Sequence, residues 1–287
     1  MQKRSTIQLI FGVVLLLVAP LLAAESYYRW QDSQGVQHYT DERPPEGTAA
    51  EQLTIDSGNG FYRVTRVIDG DTVVLENGNR VRLIGLNTPE VAHRNQPADP
   101  GGDVASDYLQ ELIEGKLVRL EYGAERYDKY RRVLAHIFTK EGKNINAMIL
   151  AEGFAHAVVK LPNVRLIDQY FSAESEARES GRGIWLLPQF KIYPIEAAKN
   201  FRNSFRRLRG VVKRTEEKRS AWMFYFKGGV KALLRKEHLA PFVRSGRAPQ
   251  QLVGKLITIR GWVHQSKGAP LIRLYHPRMI ETIESGR

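Results

Sequence analysis

The pattern of apolar and polar positions predicts a meander of short strands over residues 64–90. Three stretches rich in β-branched residues are separated by the turn signals Asp69-Gly70 and Asn77-Gly78. We predict strands at Val64–Ile68, Thr72–Leu75 and Val81–Leu86. Because a meander folds back on itself, side chains at its strand ends can converge although they are far apart in sequence.

Helical periodicity follows this meander. Residues 103–115 carry an apolar stripe at helical spacing, with Asp103 as the expected N-cap and Gly115 as the stop. Further predicted elements are strands at Lys116–Tyr122 and Val133–Phe138 and helices at 144–152 and 163–180. About five strands and three helices in this stretch predict a small barrel with helices packed on it.

The last third of the chain has its own β-rich pattern. Five strands and one interposed helix are predicted, at Leu208–Lys213, Ala221–Phe226, Val230–Leu234, Ala248–Gly254 (the helix), Leu256–His264 and Pro270–Tyr275. This order of elements is typical of an OB barrel. We therefore predict one domain over residues 61–188 and a second, smaller OB-like β-barrel domain over residues 189–287.

The N-terminal segment has the pattern of a secretory signal. A basic start is followed by the apolar run Ile7–Leu22 and by Ala23 and Ala24. We predict a signal peptide over residues 1–24 and a periplasmic or secreted protein, with an uncleaved membrane anchor as the alternative. For residues 25–60 we predict a small aromatic hairpin module followed by a linker, with the hairpin in residues 25–47 and the linker in residues 44–60. Residues 25–47 resemble a short module of unknown function found in many secreted bacterial proteins.

Composition and charge narrow the range of partners. The 287-residue chain contains no cysteine, which excludes disulfides, thiolate metal sites and a cysteine nucleophile. Its net charge of +12 lies entirely in the last third, where residues 189–287 carry 22 Lys and Arg against 6 Asp and Glu. Such an excess favours a polyanionic partner, either nucleic acid or an anionic membrane surface.

The meander also carries the candidate chemistry. It holds the carboxylates Asp69, Asp71 and Glu90 together with Arg82. Acids and an arginine at the ends of paired strands could hold a cation and a phosphate together. Taken alone, Asp69 and Asp71 could simply be turn formers beside Gly70.

Residues 61–187 resemble the thermonuclease family, the staphylococcal-nuclease-like phosphodiesterases. The motif blocks occur in the family's order, as Ile68-Asp69-Gly70-Asp71-Thr72, Arg82-Leu83, Thr88-Pro89-Glu90, Tyr127-Asp128-Lys129-Tyr130-Arg131-Arg132 and Gly181-Arg182-Gly183-Ile184-Trp185. The resemblance implies a mainly β protein with helices (α+β), a staphylococcal-nuclease-type OB barrel with three helices. It also implies a metal-dependent nuclease that hydrolyses DNA, with RNA as a further candidate substrate.

The resemblance also implies roles for individual residues. Ca²⁺, or another divalent cation, would be bound by Asp71, Asn87 and the Thr88 carbonyl, with Asp69 in support. Glu90 would be the general base that activates water, and Arg82 and Arg132 would stabilise the transition state. Tyr130 and its neighbour Lys129 would contact the substrate. No small-molecule cofactor is implied, and the oligomeric state stays open.

Two departures from the family pattern change these expectations. Asn87 stands where the best-known members have a second aspartate, so we expect a metal site short of one charge. In residues 154–162, Val158 and Lys160 replace the aromatic side chains that pack on the substrate base. Since stacking contributes ~1–3 kcal/mol per base, we expect weaker nucleotide affinity.

The basic second domain predicts a nucleic-acid tether. The candidate phosphate contacts are Arg206, Arg207, Arg209, Lys213 and Arg214, and Trp222, Phe224 and Tyr225 could offer stacking surfaces. Two other readings stay open. The chain could be a non-catalytic nucleic-acid-binding protein built of two barrels, or an envelope protein that binds anionic lipid or polysaccharide.

Overall fold

The computed structural model of the protein describes residues 27–32, 37–40, 44, 46–53, 57–92, 97–266 and 268–285. The predicted leader at residues 1–24 and the predicted turn at residues 33–36 lie outside the described residues. Among the helices of the described ranges, none is both long and apolar enough to cross a membrane.

A small antiparallel sheet precedes the two larger β structures. Its central strand, β1 (Tyr27–Gln31), pairs with β2 (Gln37–Thr40) on one side and with β3 (Ala50–Leu53) on the other. The pairing of β1 with β2 agrees with the predicted hairpin. The third strand lies within the segment that we predicted to be a linker, so that part of the prediction is corrected.

A closed five-stranded barrel follows. The strands of this part of the chain are β4 (Ser57–Asp69), β5 (Thr72–Leu75), β6 (Arg80–Leu83), β7 (Leu86–Asn87), β8 (Leu117–Tyr127), β9 (Val133–Thr139) and β10 (His156–Ala157). The barrel closes in the order β4-β5-β6-β9-β8, and β6 with β9 is its parallel pair. The short pair β7–β10 lies outside the barrel and aligns Asn87 with His156.

Three helices cover the barrel, as the sequence predicts. They are α1 (Gly102–Ile113), α2 (Ile145–Ala151) and α3 (Ile167–Glu179). Leu109 and Ile113 of α1, Ile149 of α2 and Tyr170 of α3 belong to the same buried cluster as the inward-facing barrel residues. Burial of these apolar stripes is the main force that holds the helices on the sheet.

The last third of the chain forms a second sheet. Its strands and its α-helix are β11 (Ile192–Pro194), β12 (Ser204–Val211), β13 (Arg214–Glu217), β14 (Ala221–Tyr225), β15 (Lys231–Arg235), α4 (Leu239–Arg244), β16 (Lys255–Ser266), β17 (Ala269–Leu274) and β18 (Ile280–Ser285). Short 3₁₀ helices lie at Gly183–Leu186, Pro188–Phe190, Ile195–Asn200, Lys227–Gly229, Lys236–His238, Pro249–Leu252 and Pro277–Met279.

Part of the ladder order of this sheet matches that of the first barrel. The full order is β11-β12-β16-β17-β15-β14-β13, with β18 paired to β16, and β15 with β17 is parallel, as β6 is with β9. Strands β12 and β13 are separated in the chain only by Val212 and Lys213. The Val212 amide donates to Lys255 of β16 and the Lys213 amide to Tyr225 of β14, so these two residues connect the β12–β16 pair to the β13–β14 pair.

Several predicted boundaries differ from the structure. The strand predicted at Val81–Leu86 ends at Leu83, because Gly85 adopts a left-handed φ of 82° that breaks the strand. Helix α1 is capped by Gly101 rather than by Asp103. Helix α3 begins at Ile167, four residues later than predicted, and the helix predicted at Ala248–Gly254 is a 3₁₀ turn.

A buried ionic network joins the two β structures. Arg260 of β16 is 1% exposed, forms an ion pair with Glu174 of α3 and donates from Nη2 to the Ala157 carbonyl at 3.1 Å. Glu174 also accepts from the Ala157 amide and pairs with Arg178 at 3.0 Å. Glu281 of β18 completes the network and lies 3.5 Å from Arg260. The second domain is therefore packed against the first through charged groups that water does not reach.

Candidate active site

The turn between β4 and β5 places Asp71 inside the molecule. Gly70 at its centre allows this, because a Cβ there would come within 2.8 Å of both Ala105 of α1 and the side chain of Thr88. Asp69 Oδ1 accepts from the Asp71 amide at 3.0 Å, a hydrogen bond that fixes the turn. The turn reading of these two aspartates is therefore confirmed, and the turn directs Asp71 into the interior, where it is 6% exposed.

Asp71 is 6% exposed and has four polar partners. Its Oδ2 accepts from the Thr88 amide at 3.2 Å and the Thr88 hydroxyl at 3.3 Å, and lies 2.8 Å from Arg82 Nη2. Its Oδ1 accepts from the Thr72 hydroxyl. Burial raises the pKa of Asp71 to about 6; Arg82 opposes this shift and the Asp69 carboxylate adds to it. The carboxylate thus lies where an added positive charge would be stabilising.

Arg82 joins Asp71 to the loop that carries Asn87. Its Nη2 donates to Asn87 Oδ1 at 3.1 Å and its Nη1 to the Leu83 carbonyl at 2.8 Å. Asn87 Nδ2 in turn donates to the Thr88 carbonyl at 3.0 Å. The predicted ligands Asp71, Asn87 and Thr88 are therefore brought into one hydrogen-bonded group, together with the predicted phosphate-binding Arg82.

Arg132 is held by an aspartate that the sequence reasoning did not single out. Asp128 Oδ2 lies 2.8 Å from both Arg132 Nε and Arg132 Nη2, while Asp128 Oδ1 accepts from the Arg132 amide. These hydrogen bonds, against the opposing effect of burial, hold the pKa of Asp128 below its usual range. Asp128 belongs to the motif Tyr127–Arg132, and its position four residues before Arg132 is the sequence signal for this pair.

Thr72 connects the two arginine sites. Its hydroxyl donates to Asp71 Oδ1 at 3.1 Å and accepts from Arg132 Nη1 at 3.3 Å. Arg82 and Arg132 therefore lie on either side of a continuous chain of hydrogen bonds through Asp71 and Thr72. Two guanidinium groups fixed in this way can contact one phosphate without reorganising their own positions.

Glu90 is exposed and follows the buried residues Thr88 and Pro89 after β7. Its backbone carbonyl accepts from the Asp99 amide at 2.9 Å and rests against Gly102 at the start of α1. A Cβ at Gly102 would lie 2.2 Å from that carbonyl oxygen, so only glycine permits this approach. The loop that carries the predicted general base is thus packed onto a helix end, and the Glu90 side chain faces solvent.

The predicted substrate contacts lie beside Arg132. Tyr130 is 64% exposed, and its ring lies 5.5 Å from the Arg132 guanidinium carbon and 4.8 Å from Lys129 Nζ. The Tyr130 amide donates to Asp128 Oδ1, so the same carboxylate fixes Tyr130 and Arg132. An exposed ring next to two cations is suited to contact with a nucleotide.

The predicted tether does not form one surface. Arg207 is 8% exposed and forms a bidentate pair with Glu281, so its assignment as a phosphate contact is corrected. Trp222 and Phe224 belong to the domain core rather than to a stacking surface. The other predicted tether residues are partly engaged: Arg206 lies on Phe201, Arg209 pairs with Glu284 and Arg214 with Glu216, while Lys213 is exposed.

The oxygen atoms at this site fit a divalent cation. Within the described ranges, no cluster of three or more His, Asp or Glu side chains is suited to a metal. The carboxylate of Asp71, the amide of Asn87 and the carbonyl of Thr88 are nevertheless hard oxygen donors of the kind that Ca²⁺ accepts. Burial raises the pKa of Asp71 even though Arg82 lies 2.8 Å away, so a bound cation would stabilise its charged form. The donor set therefore fits, with Asp71 as its buried carboxylate and Asp69 beside it.

Comparison with known proteins agrees with this geometry. The family model described as "Staphylococcal nuclease homologue" matches residues 80–186. The chain is 35% identical over 128 residues to the protein named Thermonuclease of Staphylococcus hyicus. The matched region covers 43% of this chain and 75% of that protein. The chain belongs to this staphylococcal nuclease family.

Two further relatives show how far the likeness extends. The Thermonuclease of Staphylococcus intermedius is 39% identical over 130 residues, with 43% of this chain and 75% of that protein covered. Endonuclease YncB of Bacillus subtilis (strain 168) is 38% identical over 125 residues, with 42% and 59% covered. A domain of unknown function (DUF4124) matches residues 14–59, the region of the predicted leader and hairpin.

Proposed function

We propose that the protein is a metal-dependent nuclease that hydrolyses phosphodiester bonds in DNA, and in RNA where it is offered. The observation that supports this most strongly is the pair of arginines, Arg82 and Arg132, each held by a buried carboxylate and linked through Thr72. The relatives named thermonuclease and endonuclease support the same activity.

In the proposed reaction, the substrate phosphate lies between Arg82 and Arg132. Glu90 takes a proton from a water molecule, whose oxygen attacks phosphorus. The bond from phosphorus to the 5′ oxygen breaks, the departing oxygen takes a proton from solvent, and the products are a 3′-phosphate end and a 5′-hydroxyl end. Negative charge grows on the equatorial oxygens of the five-coordinate transition state, and the two guanidinium groups stabilise it. Loss of one such donor typically costs ~10²–10³ in rate.

Asp71, Asn87 and the Thr88 carbonyl would hold the cation, with Asp69 in support. A bound divalent cation would supply Lewis-acid polarisation of the phosphate at this site. Ca²⁺ is the proposed ion, and the uncharged Asn87 favours weak binding or tolerance of another divalent ion. Export to the periplasm or beyond is also proposed, on the strength of the leader pattern in residues 1–24.

Digestion of single- and double-stranded DNA and RNA with Ca²⁺, Mg²⁺ or EGTA tests the proposal. We expect cleavage that EGTA abolishes and 3′-phosphate products. The variant Glu90→Gln should lose cleavage while it still binds DNA, which separates chemistry from binding. If the wild type binds DNA but no divalent ion supports cleavage, the protein is a nucleic-acid-binding protein and not a nuclease.

A further inference from the structure

A cleft of about 800 Å³ lies between the two β structures, next to the candidate active site. One wall contains Lys129, three residues before Arg132, and Lys160, which follows β10. The other wall belongs to the second domain and contains Trp262 of β16 and Arg273 of β17. The cleft therefore shares Lys129, a predicted substrate contact, with the candidate active site.

The charge of this cleft is positive and largely uncompensated. The described residues that line it include Lys129, Lys160 and Arg273 but no carboxylate. Within the described part of the chain, the side chains of Lys160 and Arg273 make no ion pair or hydrogen bond. Arg260 at the base is the exception, because Glu174 neutralises it. Narrow clefts lined by one sign of charge concentrate ligands of the opposite sign.

The same cleft contains partly exposed aromatic rings, and packing against neighbouring side chains fixes the orientation of Trp262. Trp262 is 38% exposed, and its ring packs edge-on against Phe205 at 5.4 Å and near His156 at 5.8 Å. Tyr275, half-buried, lines the same wall. Trp262 projects from the face of β16 that also carries Arg260, so the packing that joins the domains also orients its ring.

We propose that this interdomain cleft binds unpaired nucleotides of the substrate strand, adjacent to the cleaved bond. The bases stack on Trp262 and Tyr275, and the phosphates contact Lys160 and Arg273. A positive groove with exposed aromatic rings is the combination by which proteins bind single strands. Bases in a duplex are already stacked on one another, so the cleft selects single-stranded or frayed substrate. The second domain thus supplies the aromatic contacts that Val158 and Lys160 cannot provide.

This proposal rests on the proposed nuclease function, and two measurements separate the two. The first is KM and kcat for an eight-residue oligothymidylate. Trp262→Ala should raise KM by about 5- to 150-fold, with the effect on KM rather than on kcat. Trp262→Phe, which keeps an aromatic face, should restore most of the affinity. Lys160→Ala should also raise KM, whereas the matched control Lys191→Ala, at an exposed lysine that does not line the cleft, should not.

The second measurement is binding without cleavage. In Glu90→Gln, the oligothymidylate should quench tryptophan fluorescence, and the quenching should vanish with Trp262→Phe and weaken with Arg273→Ala. Normal KM in Trp262→Ala with normal quenching in Arg273→Ala would overturn the cleft proposal while leaving the nuclease in place. Tighter competition by a heparin fragment than by oligothymidylate would overturn it as well. If no nucleic acid is cleaved under any divalent ion, the nuclease proposal fails, and the quenching experiment alone decides the cleft.

Discussion

Replacement of Arg260 by methionine should destabilise the whole protein, although Arg260 is not part of the candidate active site. Methionine matches much of the arginine side-chain volume but removes the charge. Glu174 would keep Arg178 as a partner at 3.0 Å. It would nevertheless lose its closest cation, although its own side chain is 0% exposed. The Ala157 carbonyl would also lose the donor that lies 3.1 Å away.

The size of the effect follows from burial. Removal of one partner from a buried ion pair costs about 3–5 kcal/mol, because the other charge stays in the interior. We expect the lower end, about 3 kcal/mol, since Arg178 still compensates Glu174 in part. If the two domains unfold as one unit, the scale for 150–250 residues applies and the fall in Tm is roughly 6–12 °C. The double variant Arg260→Met/Glu174→Gln should recover much of the loss, because it removes both charges.

Thermal unfolding followed by circular dichroism measures this, with Arg278→Ala as the matched control. Arg278 also bridges the two domains, through Asp168 of α3 at 2.7 Å, but both side chains are largely exposed, at 41% and 66%. Such an exposed pair contributes about 0–1 kcal/mol, so Tm should fall by less than about 4 °C. Equal shifts for Arg260→Met and Arg278→Ala, or additive losses in the double variant, would refute the reasoning.

Four further predictions concern the site and the first barrel. Asp128→Asn should lower kcat by about tenfold or more, because the Arg132 guanidinium remains but is no longer fixed. The loss should be smaller than the ~10²–10³ expected when Arg132 itself is replaced by alanine. Steady-state kinetics of both variants measure this, and equal kcat values for wild type and Asp128→Asn would contradict it. Gly102→Ala should also reduce kcat, since its Cβ would displace the Glu90 carbonyl. The control Gly60→Ala, at a glycine with open space and no left-handed φ, should leave kcat unchanged. Asn87→Asp should lower the metal concentration needed for half-maximal cleavage, and an unchanged metal titration would show that the missing charge is unimportant. Burial lowers the pKa of His136 to about 3. The contribution of neutral His136 to the free energy of unfolding should therefore be complete above pH 6.5 and decrease as the pH falls towards 3, by up to about 5 kcal/mol. Urea unfolding across this range should show a flatter pH profile for His136→Gln.

The predicted tether illustrates why a charge count does not locate a binding surface. Residues 189–287 do carry the excess of lysine and arginine. However, Arg207 and Arg260 are directed into the interior, where they pair with Glu281 and Glu174. Removal of the second domain would therefore expose the buried Glu174, so point variants in the cleft are a cleaner test of substrate binding than truncation.

The aromatic residues of the second domain were misassigned for a related reason. Period-two alternation shows that Trp222 and Phe224 share one face of a strand, and that Arg260 and Trp262 share another. It does not show which face packs inward. In β14 the aromatic face is the core, whereas in β16 the face that carries Trp262 is turned towards the first barrel.

The sequence alone determined the parts of this protein that depend on local chemistry. Strand β5 was predicted at its observed bounds, the turn at Asp69–Asp71 followed from glycine beside aspartate, and the motif blocks identified Arg82 and Arg132. Only the tertiary structure decided that Asp128 and Asp71 hold these arginines and that the second domain forms one wall of the cleft that contains Lys129. These contacts join residues that the chain brings together only when the barrel closes and the domains pack, and no local pattern encodes that meeting.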